Sequence, residues 1–412
     1  MSNFGIQFTA WPEMLAWPYL MLQGWLPYRD IGIAHNPLLL LDIAIYYKIF
    51  GVGIMQLKIY TWILIAINIY LVYFVTKQFW SRKTAYFSTF LYLLLAIVYE
   101  GNGLWFDLAL TPFAILLFYF LKSKNYLWTG IIFALGFLTK QTFVYFAVPI
   151  VLFLLQSGQY RKNILNLVVG SGVVITFFLI LLGLLGILDD YYSWAIQFGI
   201  FYLPQAGGQV SLPNLKQFIF GLSPFMLSML SKEYLILTFA FVGLLGVYPR
   251  WELFHFQPAL PFLAIALSVV ILDNKRKLVR LAAFILTVCF LSIGIYRQFG
   301  TTTRFYEEDV KVVVALITTH QPQVNSLYII NYWDSLYALT NTQPPKPLIP
   351  YIPWYLNYDN NLVKITNNLK TEMPEAIIIG ERQDSYTELY DFVDKFYGCD
   401  IVVKKVEVCF RN

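Results

Sequence analysis

Charge is scarce in this 412-residue chain: Asp, Glu, Lys and Arg together make up 13% of it, whereas a soluble domain carries about 25%. Hydrophobic residues account for 58%. A soluble globular class is excluded, and the chain reads as a polytopic α-helical membrane protein. Cysteine is scarcer still. Cys289, Cys399 and Cys409 have no metal-ligand spacing among them. No Gly-rich phosphate loop, HExxH or GxSxG motif occurs. Nor is there a basic tract of the kind nucleic acid requires, so no nucleic-acid partner is expected.

Aromatic residues, by contrast, are abundant at 18%, as befits many helix ends at two interfaces. They concentrate in residues 9–37, TAWPEMLAWPYLMLQGWLPYRDIGIAHNP. Pro12, Pro18, Gly24, Pro27 and Gly32 break this stretch, so it lacks the roughly 20 continuous apolar residues of a span. We read residues 1–53 as a first outer loop with interfacial helices, the second at Leu38–Phe50. If this loop lies outside the cell, a helix upstream of Met1 is expected to carry it there.

Candidate spans follow at about 54–76, 84–99, 108–121, 126–139, 142–156, 164–187, 218–230, 233–248, 257–272 and 279–297, giving a bundle over residues 54–299. With the first loop outside, the inner loops hold Lys77, Arg82, Lys83, Lys122, Lys124, Arg161, Lys162, Lys232, Lys275, Arg276, Lys277 and Arg280. The outer loops between spans hold only Lys140, Lys216 and Arg250. Twelve cations against three fit the positive-inside rule. The outer loop 188–217 reads either as a plain connector or as an interfacial helix followed by a mobile loop.

Charge balance changes sign near residue 300. Residues 1–299 carry 19 Lys/Arg and 10 Asp/Glu, and residues 300–412 carry 10 and 14. The later stretch alternates helical (DVKVVVALITT, YTELYDFVDKFYG) and strand-like (LYIIN, EAIIIG, DIVVKKVEVCF) patterns, which predicts a C-terminal extracytoplasmic α/β domain over 300–412. The proline-rich run QPPKPLIPYIPW, 343–354, is expected to pack as an extended lid against the membrane surface. Cys399 and Cys409 flank a segment able to fold back near Lys404–Lys405, and they are either bridged or two independent thiols.

Few polar groups fall at the outer membrane depth. They are Glu13, Arg29, Asp30, His35 and Asn36, then Glu100, Asn102 and Asp107, then Lys140 and Gln141, then Arg250, Glu252 and His255. Ionisable groups near lipid are costly and often functional, although each has a plainer alternative. Glu13 after Pro12 suits the first turn of a helix, where the dipole stabilises an acid. Asp30 suits a turn or a pair with Arg29, Asp107 an N-cap, and Lys140 a snorkelling charge. Their convergence at one depth carries the argument.

The run from Glu13 through LQGWLPYRD (22–30), HNPLLL (35–40) and IFG (49–51) resembles the first outer loop of the GT-C fold glycosyltransferases. These include the protein O-mannosyltransferases, the lipid A aminoarabinose transferase and RgtA/B/C/D-like bacterial proteins. The resemblance continues in GLWFDLALTP (103–112), GFLTKQT (136–142) and WELFHFQPALPFLA (251–264). It implies an inverting glycosyltransferase in the plasma (inner) membrane, multi-pass, acting on the outer face. The donor would be a polyprenyl-phosphate sugar, and the acceptor a lipid, glycan or protein. Glu13 then matches the catalytic acid position and Asp107 the second-loop acid, with Asp30 beside them. Lys140, Arg250 and His255 would hold the donor phosphate, and Tyr28, His35 and Asn36 would contact substrate. Relatives often carry Asp-Glu where this chain has Pro12-Glu13. No DxD metal motif is present, so neither metal nor cofactor is expected. A lipid or polysaccharide transporter is the alternative function, and a non-catalytic membrane scaffold a third. A transporter predicts mid-span polar residues and internal repeats, and neither stands out.

Overall fold

In a computed structural model, the described residues are 5–155, 160–300, 302–319, 324–383 and 386–412. Helix α1 spans Pro12–Leu22 and α2 spans Leu38–Phe50. Pro12 occupies the first turn of α1, where its fixed φ and missing N–H cost nothing. Gly51, in the left-handed region at φ 83°, ends α2. The helical body continues as α3 (Ile54–Phe79), α4 (Arg82–Val98), α5 (Phe106–Lys122), α6 (Tyr126–Thr139), α7 (Ala147–Leu155) and α8 (Tyr160–Leu184). After a short α9 (Leu188–Tyr191) come α10 (Leu215–Ser228), α11 (Tyr234–Gly243), α12 (Leu260–Asp273) and α13 (Lys277–Gln298). Each sequence-predicted span overlaps one of these helices, those at 142–156 and 257–272 beginning in a 3₁₀ turn.

Four helical stretches, Ile54–Phe79, Arg161–Leu184, Leu253–Asp273 and Lys277–Gln298, are long and apolar enough to cross a membrane by length and composition. Other helices are shorter. The 14 residues of α6 rise about 21 Å, against a hydrocarbon layer of about 30 Å. Tight 3₁₀ turns extend two of these short pieces, giving apolar runs over Gln141–Leu155 and Tyr234–Val247.

Helices α6 and α8 approach closely, and the contact depends on glycine. A Cβ on Gly130 would collide with the Leu167 carbonyl, and one on Gly170 with that of Leu127. Small residues that let backbones meet are the usual device for packing helices in lipid, where no hydrophobic force draws them together. By contrast, α12 is buried nearly all round and forms the centre of the aromatic-rich core that includes Phe118, Phe239 and Phe262.

The C-terminal part carries a four-stranded sheet in the order β3-β4-β6-β5. Strands β3 (Leu327–Ile330) and β4 (Ala376–Ile379) pair in parallel, while β6 (Val406–Arg411) runs antiparallel to both β4 and β5 (Tyr397–Val403). Strands β3 and β4 are fully buried, which accounts for their continuous apolar runs. Helices α14 (Glu308–Thr319), α15 (Ser335–Thr340), α16 (Pro353–Leu356), α17 (Asn361–Glu372) and α18 (Thr387–Phe396) complete the unit. Cys399 and Cys409 are joined by a disulfide across the β5–β6 hairpin, with Cα atoms 4.1 Å apart. The hairpin turns at Lys404 and Lys405, as the spacing of the two cysteines allowed.

Two features were not foreseen. A short parallel pair joins β1 (Phe8–Thr9) to β2 (Thr303–Arg304), tying the start of the chain to the exit of α13. The proline-rich run docks on the first loop. Leu348 N–H donates to the Asp30 carbonyl, Gly32 N–H donates to the Leu348 carbonyl, and Lys346 Nζ sits 3.1 Å from Asp30 Oδ2. Free backbone groups of a proline-broken strand found partners in another irregular segment, so the run acts as a clamp on that loop.

Candidate active site

A cavity of about 510 Å³ lies where the first loop, the α6–α7 junction and the segment before α12 meet. Glu13, His35, Lys140, Arg250 and His255 all line it. Five of the nine candidate residues, drawn from four separate stretches of sequence, thus converge on one space.

Glu13 enters from the first turn of α1. Its neighbour Trp11 is fixed by rings on three sides, with centroids 5.0 Å from Trp105, 4.9 Å from Phe254 and 5.1 Å from Phe305. Glu13 Oε2 is buried and has no hydrogen-bond partner among the described residues. Burial pushes the carboxyl above its ordinary value, and its own backbone N–H and the charge of Arg250 pull it part of the way back. A buried acceptor left unpaired is costly.

Lys140 sits in extended backbone between α6 and the following 3₁₀ turn. Its Nζ lies 2.7 Å from Asp107 Oδ2, and the same oxygen lies 2.8 Å from His255 Nδ1. Asp107 is 1% exposed and does not line the cavity. It stands behind Lys140 and His255 and holds both toward the open space, in the way a buried carboxylate fixes a ligand-facing partner. Arg250, which also lines the cavity, pairs through Nε with Glu252 Oε1 at 2.7 Å.

His35 packs against Phe106 with ring centroids 4.4 Å apart. Burial first, then the Lys140 charge, push its pKa down to about 3, so the imidazole is neutral and serves as a hydrogen-bonding group. Gln141 pins this wall, its Nε2 donating to the carbonyls of Ala34 and Ala195, each at 2.9 Å. Ala195 belongs to a wide π-helical coil, Tyr192–Tyr202, within the 188–217 loop that the sequence left open between a plain connector and an interfacial helix. A Cβ on Gly199 of that coil would collide with the Ala34 carbonyl, so the coil can lie against the His35 segment only with glycine there.

Four candidates lie outside the cavity lining. Asp30 closes a turn, accepting from Leu26 N–H at 2.8 Å and from Lys346. Tyr28 is buried, its hydroxyl donating to the His35 carbonyl at 3.0 Å. Asn36 is also buried, accepting from Tyr191 Oη at 2.9 Å and donating to the Phe137 carbonyl. Asp107 is the fourth. Turn chemistry accounts for Asp30, and packing beneath the His35 wall accounts for Tyr28 and Asn36.

One acid was missed. Asp334 follows β3 at the start of α15, the helix that packs on α1. Burial, then the charge of Glu13, push its pKa up to about 8. Its position just past a strand's carboxyl end, where α/β folds place functional loops, was the available signal. Among the described residues the one metal-capable cluster is Cys399, Glu407 and Cys409, remote in sequence from these residues, and its thiols are consumed by the disulfide.

Residues 34–185 match the family described as dolichyl-phosphate-mannose-protein mannosyltransferase. No curated protein sequence matches the chain. Among solved structures it is similar to ArnT from Cupriavidus metallidurans in the apo state, with a TM-score of 0.68 at 12% identity over 99% of this chain and 95% of that one. The same protein bound to undecaprenyl phosphate gives 0.67 at 11%, with the same coverage. The Archaeoglobus fulgidus oligosaccharyltransferase tethered to an acceptor peptide gives 0.51 at 12%, over 90% of this chain and 65% of that one. The chain has the fold of the GT-C glycosyltransferases, and the resemblance read in its first loop stands.

Proposed function

We propose that this protein is a glycosyltransferase of the plasma membrane that moves a sugar from a polyprenyl-phosphate donor to an acceptor hydroxyl on the outer face. The observation that carries this reading is the Glu13 carboxylate, its Oε2 without a partner among the described residues, lining one cavity with Lys140 and Arg250. A base and two cations are what the displacement of a phosphate from an anomeric carbon needs. The GT-C likeness, including that to a structure bound to undecaprenyl phosphate, supports the donor class.

In the proposed step Glu13 takes the proton of the acceptor hydroxyl as its oxygen bonds to the anomeric carbon. The bond from that carbon to the phosphate oxygen breaks, and its electron pair stays on the lipid phosphate. Configuration inverts. General-base help of this kind contributes about 10²–10⁴-fold. Lys140 and Arg250 stabilise charge developing on the leaving phosphate. Neutral His35 orients sugar or acceptor hydroxyls. In this reading about ten helices span the membrane, with residues 300–412 outside, and the lipid tail lies between spans.

The test is reconstitution with a polyprenyl-phosphate hexose in liposomes together with an extract of envelope glycolipids. Release of free polyprenyl phosphate with sugar appearing on an acceptor supports the reading. Movement of intact donor between leaflets without sugar transfer indicates a transporter and refutes it.

A further inference from the structure

Beside the cavity, at the same end of the helical body, opens a second pocket of about 460 Å³. Glu252 and Phe254 line both spaces, so a single strip of chain separates them. Besides that strip, the walls of the second pocket come from four places: the α4–α5 turn with Glu100, the start of α10 with Lys216, the end of α13 with Arg297, and β2 with Arg304. Trp251 and Phe220 supply aromatic surface.

The two arginines are held by rings. Arg297 lies over Phe220 at 4.8 Å, and Arg304 lies over Phe305 at 4.7 Å and Trp11 at 5.6 Å. Neither is in an ion pair among the described residues, whereas Glu252 is already tied to Arg250. A guanidinium stacked on an aromatic face keeps its planar fork of donors available at the edge. That fork matches a phosphate or carboxylate in two-point contact. Aromatic rings beside it offer a flat surface to the C–H face of a sugar, and Glu100 is an acceptor for sugar hydroxyls. A plain acyl chain would strand these charges, and a cationic ligand would face three like charges across Lys216, Arg297 and Arg304.

We infer that this pocket binds an anionic saccharide, a sugar bearing phosphate or carboxylate, with Arg297 and Arg304 on the anionic group and Trp251 beside the ring. Its role as the acceptor pocket rests on the glycosyltransferase reading, since Phe254, which divides the pockets, also touches Trp11 next to Glu13. The binding itself does not rest on that reading.

The experiment uses the full chain in phosphatidylcholine nanodiscs, titrated with glucose 1-phosphate, glucuronate, glucose and inorganic phosphate and followed by ligand-observed NMR. Glucose 1-phosphate and glucuronate should bind at least about tenfold tighter than glucose or inorganic phosphate, because the charge-assisted contacts and the ring surface act together. Arg297→Gln changes an exposed residue and should weaken both by about tenfold, as should Arg304→Gln, with Arg304→Lys keeping part of the affinity. Glu13→Gln and the Lys140→Met/Asp107→Asn double variant should leave this binding unchanged, so loss of turnover and loss of this site remain separate results. Equal binding of glucose and glucose 1-phosphate overturns the inference. So does full affinity in Arg297→Gln, or loss of binding in the Lys140 double variant, which would move the anion to the donor cavity. Nanodiscs containing phosphatidylglycerol form the last arm. Competition by that lipid with no saccharide binding would make this a headgroup site and overturn the assignment as well.

Discussion

Lys140 Nζ and Asp107 Oδ2 lie 2.7 Å apart, both side chains almost wholly buried, yet only the lysine faces the cavity. The lysine is therefore offered to a ligand with its counter-charge fixed behind it. Such a pair constrains position more than it stabilises, since desolvating two charges offsets most of their attraction.

That arrangement separates stability from binding. Lys140→Ala leaves Asp107 buried with His255 alone and should cost about 3–5 kcal/mol of stability as well as donor affinity. The Lys140→Met/Asp107→Asn double variant removes both charges and should recover most of that stability while donor affinity stays lost. Thermal unfolding in detergent, with donor binding measured beside it, checks both. A double variant that binds donor normally would leave Lys140 as a structural charge.

The Glu13–Asp334 relationship predicts a pH dependence of stability. Asp334 has its folded pKa pushed up to about 8 by burial and by Glu13, against about 3.9 in an unfolded chain. Between those values the folded state holds a proton that the unfolded state has released. Stability from this group is thus full below about pH 4 and declines as pH rises toward 8. Asp334→Asn cannot lose the proton, so it should be more stable than the parent at pH 8–9 by at least about 1 kcal/mol, with the gap closing on acidification. Unfolding midpoints at pH 5, 7 and 9 test this, and equal pH slopes for both proteins would refute it.

Membrane topology is tested by labelling. In a Cys289→Ser background, an impermeant maleimide should miss a cysteine at Lys275 in intact cells and label one at exposed Lys405 under conditions where the native disulfide is kept. A labelled position 275 would invert the orientation and put Glu13 on the cytoplasmic side.

Much of the helical body was legible because its signal is local: long apolar runs bounded by Gly, Pro and charge. Lys140 stood out for the same reason, as a lone cation in a very short loop. Glu13 was legible through Pro12, which sets the start of α1 and so the side from which the carboxylate enters. Asp30 was legible as a turn residue, which accepts from Leu26 N–H, but its second partner, Lys346, is 316 positions away in sequence, and nothing at residue 30 announces it. Asp107 was found as a candidate, but its place behind Lys140 and His255 depends on three stretches packing together. Asp334 carried only the weak signal of an Asp after a strand, and its meaning comes from lying against α1. The 3₁₀ turns at Gln141–Phe146 and Leu253–Ala259 run into the spans read at 142–156 and 257–272, and periodicity of apolar residues does not distinguish them from α-helix.

The account turns on Glu13 as the base. Its raised pKa makes it a stronger base than a free glutamate, and its free Oε2 is the acceptor the reaction requires. The most direct measurement is single-turnover sugar transfer from a polyprenyl-phosphate hexose by Glu13→Gln, with donor binding measured on the same protein. The amide keeps the shape and cannot take the proton. Transfer should fall at least about 100-fold with donor affinity within about twofold of the parent. Full transfer by Glu13→Gln would contradict the account.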